Sequence, residues 1–159
     1  MKKLKKFAAL LLVGVMALAL LTACGGGGSG EDTQAEASVM TAINGKRTAE
    51  VKLDNNAERK AVASQNIDYV AKHGFGPFSS DVKFNLDTDH IKDGQFGFTF
   101  VAKYDYKDTK LDDLITRITG GDGKNVKSNY VDNWTNVGVV VKTVNGQTYI
   151  AVSVAIDVS

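Results

Sequence analysis

The chain has 159 residues, of which 19 are lysine or arginine and 18 are aspartate or glutamate, and it contains one cysteine. This length suits one domain preceded by a tether. The near-neutral balance of charge excludes the strongly basic surface that nucleic-acid binding requires. A single cysteine excludes a disulfide within the chain, so packing alone must stabilise the domain.

The first 24 residues contain the clearest motif. Four lysines precede an apolar run over residues 7–21, and Leu21-Thr22-Ala23 then leads into Cys24. A charged start, a short apolar core and small residues before a cut are typical of a secretory signal peptide. The run is shorter than the roughly 20 residues that cross a bilayer, which argues against a transmembrane anchor.

The Leu-x-Ala-Cys box resembles the signal of bacterial lipoproteins. The resemblance implies that residues 1–23 are removed and that Cys24 carries a diacylglycerol, whose two acyl chains give stable anchoring. Four of the 19 basic residues and none of the 18 acidic ones lie in residues 1–23, which leaves 15 against 18 and a net charge of −3. We expect a lipid-anchored protein on the extracytoplasmic face of the cell membrane.

The organisation of the remaining chain follows from composition. Residues 24–37 are rich in glycine, serine and acidic side chains, as in a flexible tether. Residues 38–159 are predicted to form a single domain.

Helical spacing of apolar residues predicts a first helix over residues 35–47 and a second over residues 57–73. Asn55-Asn56 offers a cap for the second helix, and Gly74 ends it. The inward side chains expected on the second helix are Ala61, Ala63, Ile67, Val70 and Ala71. The outward ones are Arg59, Lys60, Gln65 and Asp68.

Residues 75–95 have no clear period and are predicted to be a long loop with one short element. Residues 96–103 alternate strictly and predict a strand with its phenylalanines on one face. A third helix is expected over residues 109–119, with Leu111, Leu114, Ile115 and Ile118 as its apolar stripe. A glycine-rich loop over residues 120–134 follows it.

The C-terminal residues predict a β-hairpin around Asn145-Gly146, a type I′ turn signal. Counting outward from the turn pairs Val141 with Ile150, and the same register continues to both ends. One face of this hairpin carries apolar side chains and the other carries small ones, which suits a sheet covered by helices on both sides. We therefore expect an α+β fold with a mainly antiparallel sheet.

The order of these elements, together with short motifs, resembles the CAP superfamily, the fold of cysteine-rich secretory and plant pathogenesis-related proteins. The matching segments are Ile43-Asn44 with Arg47 and Leu53, residues 57–74, Gly94-Gln95, residues 111–118 with Gly123-Lys124-Asn125, and Trp134-Thr135-Asn136-Val137-Gly138-Val139. The resemblance covers most of residues 38–158 and implies an α-β-α sandwich.

Typical CAP proteins gather two histidines and two glutamates in a cleft that can hold a divalent metal. In this chain the resemblance places Gln95, Lys124 and Asn136 in the cleft, with His73 or His90 as the remaining histidine. Two amides and an ammonium group cannot form a zinc site or supply acid–base chemistry near neutral pH. The resemblance thus implies a degenerate member with no metal, no cofactor and no catalytic residue.

The alternative is a metal-dependent or hydrolytic extracytoplasmic enzyme that uses His73 or His90 with nearby aspartates. The acidic residues before His90 lack the alternation and the terminal glutamate of an EF-hand loop. His73 falls in the last turn of a predicted helix, where a histidine complements the helix dipole. We favour a non-catalytic domain that binds an extracytoplasmic protein, a glycan or a small ligand.

Overall fold

The computed structural model describes residues 30–77, 81–89, 91–92, 94–105 and 130–157. They form two helices and a four-stranded antiparallel sheet, so the predicted α+β class is confirmed. The elements are α1 (Thr33–Lys46), α2 (Ala57–His73), β1 (Val82–Asp87), β2 (Gln95–Lys103), β3 (Trp134–Val144) and β4 (Gln147–Asp157). Cys24, His90, Lys124 and the predicted third helix lie outside the described residues.

The C-terminal hairpin is the element that the sequence predicted best. Val141 lies opposite Ile150, and the register continues as predicted to Val137 opposite Val154. Asn145 and Gly146 both have positive φ, 52° and 80°, as a type I′ turn requires. Local turn chemistry therefore sets the pairing of β3 with β4.

The sheet has the strand order β1-β2-β4-β3, which places β4 in the centre and leaves β1 and β3 at the edges. β1 is the short element expected within residues 75–95. It pairs with β2, with Phe84 opposite Phe100 and Leu86 opposite Phe98. The apolar and polar residues of β1 alternate along the strand. Its polar side chains lie on the side that faces α2, and its apolar side chains lie exposed on the other side.

Helix α1 begins inside the segment that was assigned to the tether, so the predicted boundary at residue 37 is wrong. The Asp32 side chain caps the helix by accepting hydrogen bonds from the backbone N–H of Gln34 and Ala35, at 3.1 and 2.9 Å. The Asp32 N–H donates to the Val141 carbonyl at 2.7 Å. The chain therefore joins the fold by residue 30, because backbone bonds to β3 order it there.

Helix α2 has the predicted bounds, with Asn56 accepting a bond from the Arg59 N–H at 3.0 Å and Gly74 following its last residue. Ala63, Ile67 and Val70 are buried as expected. Ala61 is exposed instead, and Val62 is buried. The outward placement of Arg59 is also wrong, because its guanidinium is buried against the Asp87 carboxylate at 2.8 Å.

The two helices pack on opposite faces of the sheet. The first face packs against Val39, Met40 and Ile43 of α1, and its valines include Val139 and Val152. The second face packs against Ala63, Ile67 and Val70 of α2. Both faces are apolar at the centre, so β4 is buried on both sides.

Gly138 sets how closely α2 approaches the second face. A Cβ atom at this position would lie 2.2 Å from the backbone carbon of Arg59 and 2.2 Å from the backbone nitrogen of Lys60. These atoms lie in the first turn of α2, where Asn56 bonds to the N–H groups of Arg59 and Lys60, so they cannot move aside without disrupting the start of the helix. Glycine is therefore required here by packing.

We predict that Gly138→Ala lowers the free energy of unfolding by about 3 kcal/mol or more, since overpacking against a rigid backbone is destabilising. Urea denaturation measures the change. Gly45→Ala is the matched control, because its Cβ would meet no atom within 4 Å. Alanine also favours a helix over glycine. A Gly138→Ala protein as stable as the Gly45→Ala protein would contradict the close approach.

Candidate functional site

The described members of the predicted cleft do not lie together. Gln95 begins β2, and its side-chain amide donates to the Asp157 carboxylate at 2.8 Å. Asn136 lies on β3 opposite Ala155, so β4 separates it from Gln95. Two strand spacings and an offset of two residues place the backbones of Gln95 and Asn136 more than about 10 Å apart.

His73 lies at the far end of the sheet from both amides. Helix α2 begins beside β3, where the Asn56 N–H donates to the Val137 carbonyl at 2.8 Å. It then runs for 17 residues, a length of about 25 Å. Its last residue, His73, is exposed and places its ring 4.6 Å from the ring of Tyr69. The histidine is therefore remote from Gln95 and Asn136.

The residues that carried the CAP resemblance have structural roles here. The Asn44 side chain holds Leu53 through two bonds, accepting from its N–H at 2.9 Å and donating to its carbonyl at 2.8 Å. The buried Arg47 guanidinium donates to the carbonyls of Val131 and Trp134. These bonds fix the chain that follows α1 against the start of β3.

Asp132 also holds the chain that follows α1 against the segment before β3. Its carboxylate accepts hydrogen bonds from the Thr48 hydroxyl and from the N–H groups of Thr48 and Ala49. The Thr48 hydroxyl bond, followed by the backbone bonds, holds the pKa of Asp132 below its ordinary value. This carboxylate stays ionised and acts as an anchor for a loop.

The buried pair of Arg59 and Asp87 joins α2 to β1. The side chains are 4% and 7% exposed, so removal of either partner would leave a buried charge without its counterion. No sequence pattern predicts this pair, because the two residues are remote along the chain and Arg59 lies among polar residues of the helix. Neither group faces an open cleft.

The outer edge of β3 is bonded to earlier parts of the chain along most of its length. The Asn55 side chain accepts from the Val139 N–H at 2.7 Å and donates to the Val139 carbonyl at 3.0 Å. The Val141 N–H donates to Glu36 at 3.4 Å, and the Thr143 N–H donates to the Gly30 carbonyl at 3.3 Å. We call this the sealed edge.

A buried carboxylate at the sealed edge links the two helices. Glu36 of α1 accepts a bond from the Lys60 ammonium of α2 at 2.7 Å, and Lys60 also contacts Glu31 at 3.2 Å. Burial raises the pKa of Glu36, although Lys60 and the Val141 N–H oppose the shift. Burial alone would lower the pKa of Lys60, but bonds to Glu36 and Glu31 raise it. Lys60 therefore remains charged at neutral pH.

An apolar surface lies uncovered on β1 and β2, on the first face of the sheet. Phe84, Leu86 and Phe96 are 56%, 61% and 40% exposed. Phe98 lies between them, with its ring 5.3 Å from that of Phe84 and 6.4 Å from that of Phe96. We call these four residues the aromatic face. The strict alternation of residues 96–103 predicted that Phe96 and Phe98 share one face of a strand. The sequence predicted only a short element where β1 lies, and not that Phe84 and Leu86 join them.

The aromatic face is continuous with the core. The Phe98 ring meets the buried Trp134 ring at 6.2 Å in an edge-to-face arrangement. β4 lies between β2, which carries Phe98, and β3, which carries Trp134, and its Val154 is fully buried. The surface is thus the uncovered end of an apolar layer, and its rings are held in place by packing from one side.

Other grooves offer less chemistry. A broad open groove runs between α1 and residues 52–55. Its lysine, Lys52, donates to the carbonyls of Asn44 and Arg47, both at 3.1 Å. Across the described ranges, no three histidine, cysteine, aspartate or glutamate side chains are placed to share a metal ion. The aromatic face is therefore the candidate functional site.

Comparison with known proteins gives no relative. No family model, no curated protein and no solved structure matches this chain. Among the described helices, none combines the length and apolar character needed to cross a bilayer.

Proposed function

We propose that this protein is a lipid-anchored extracytoplasmic domain that binds a macromolecular partner through its aromatic face and has no catalytic role. The observation that carries the binding role is the exposure of Phe84, Leu86 and Phe96 on one continuous surface. Contiguous apolar patches on soluble domains commonly mark interaction sites. The anchor rests on the box that ends at Cys24.

The proposed architecture is an α-β-α sandwich of the degenerate CAP type. Two observations support it: α1 and α2 pack on opposite faces of the sheet, and the strand order keeps the hairpin strands adjacent. The proposed family membership rests on the sequence motifs alone.

The position of the tether supports presentation of the aromatic face away from the membrane. The chain joins the fold at Gly30, which bonds to Thr143 near the turn of the hairpin. Cys24 lies six residues before Gly30, so their Cα atoms are at most about 20 Å apart. Thr143 lies opposite Thr148, whereas Phe98 lies opposite Val154, about 20 Å further along the sheet.

The enzyme alternative draws no support from the described residues. His73 is exposed beside Tyr69, and Asp87 is paired with Arg59. Calorimetric titration of the protein with Zn²⁺ and Ca²⁺, in parallel with His90→Ala, discriminates the two proposals. Heat of binding that His90→Ala abolishes would favour the enzyme.

We predict that the wild-type protein incorporates labelled fatty acid and loses residues 1–23, whereas Cys24→Ser does neither. The reason is that acylation requires the thiol. Intact-mass measurement of protein isolated from a bacterial host checks both changes. Ser29→Cys in the Cys24→Ser background is the control for position and should remain unlabelled. Fatty-acid label in the Cys24→Ser protein would contradict the proposed anchor.

We predict that a photoreactive phenylalanine analogue at position 84 gives a discrete cross-linked species in intact cells. Position 51 is the matched control, because Val51 is 74% exposed but lies outside the aromatic face. Gel mobility and mass spectrometry of the adducts identify what is attached. Equal adducts at both positions, or none at position 84, would overturn the binding role of the aromatic face.

A further inference from the structure

A groove with polar walls lies between α2 and β1, on the side of β1 opposite the aromatic face. Its volume is about 330 Å³, which is at the small end of the range of ligand sites. Three amides, an aromatic ring and a lysine line it, and we call it the amide groove. These residues are Gln65, Asn66, Tyr69, Lys83 and Asn85.

Two of the amides are held in fixed orientations. The Asn85 side-chain nitrogen donates to the Asn66 side-chain oxygen, and the Asn66 side-chain nitrogen donates to the Val62 carbonyl at 2.9 Å. A side-chain amide both donates and accepts hydrogen bonds, as a sugar hydroxyl does. Because these amides are ordered before a ligand arrives, binding to them loses little conformational entropy.

A positive charge is also held beside the groove. Tyr69 is an aromatic residue with half of its surface exposed. The Lys83 ammonium lies 4.0 Å from the centre of the Tyr69 ring. The attraction between a cation and an aromatic ring keeps the ammonium at the groove instead of extended into solvent.

The surroundings of Tyr69 add further basic groups. Lys72 and His73 follow it by three and four residues, so they lie on the same side of α2. Asp81, the acidic residue that precedes β1, is paired with Lys103 at 3.2 Å. The groove therefore attracts a negatively charged ligand, although residues 24–159 as a whole have a net negative charge.

We propose that the amide groove binds a sugar that bears a carboxylate, as one unit of an extracytoplasmic glycan. The Lys83 ammonium pairs with the carboxylate, the amides of Asn66 and Asn85 bond to hydroxyl groups, and Tyr69 packs against the C–H groups of the sugar ring. A neutral sugar would leave the held charge of Lys83 unused. The groove is separate from the aromatic face, so the inference goes beyond the proposed binding role of that face.

Ligand-observed saturation-transfer NMR on the full chain in detergent micelles tests the proposal. The probes are methyl glucuronide and methyl glucoside, which differ only in the carboxylate. We expect binding of methyl glucuronide, and binding of methyl glucoside about tenfold weaker because a charge-assisted hydrogen bond is lost. Lys83→Gln should remove this preference, and Lys83→Arg should retain it because arginine also places a cation on the ring.

Lys46→Gln is the matched control, because it removes a lysine from α1 on the opposite face of the sheet and should leave binding unchanged. No saturation transfer to methyl glucuronide would overturn the proposal and show that these side chains only join α2 to β1. Equal binding of the two probes, or equal losses in the Lys46→Gln and Lys83→Gln proteins, would overturn it as well. Photo-crosslinking at position 84 reports on the other side of β1, so its outcome is independent of this one.

Discussion

β3 lies at the edge of the sheet, and its outward backbone groups would lack partners if earlier parts of the chain did not bond to them. Gly30, Asp32 and Glu36 bond to one half of this edge, and Asn55 and Asn56 bond to the other. These contacts hold the first residues of α1 and of α2 against the same strand. The sealed edge therefore determines where both helices begin. Gly138 then allows α2 to lie against the second face, and the Glu36–Lys60 pair joins the helices beside the same strand.

Sealing one edge makes the sheet asymmetric. An edge whose backbone groups are already bonded cannot pair with another strand. At the opposite edge, no described strand occupies the outer side of β1, and the rings of Phe84 on β1 and Phe96 on β2 are exposed. Gly30, the first described residue, bonds to Thr143 near the hairpin turn, whereas the aromatic face lies towards the other end of the sheet.

Local signals in the sequence predicted the hairpin and α2 well, because Asn145-Gly146, Asn56 and Gly74 act on neighbouring residues. The misassigned features depend on contacts between distant residues. Asp32 and Glu36 read as part of a flexible acidic tether until β3 is present to bond with them. Arg59 reads as a solvated helix residue until Asp87 is beside it. The predicted cleft failed in its described part for the same reason, since Gln95, Asn136 and His73 lie on elements whose spacing only the strand order determines.

Amide hydrogen exchange of the native protein, followed by NMR, tests the sealed edge most directly. The inward N–H groups of Gly138 and Val140 bond to β4, and the outward ones of Val139, Val141 and Thr143 bond to Asn55, Glu36 and Gly30. We predict that the outward groups exchange as slowly as the inward ones. Outward amides that exchange as fast as the exposed amide of Glu50, while Gly138 and Val140 remain protected, would contradict the account.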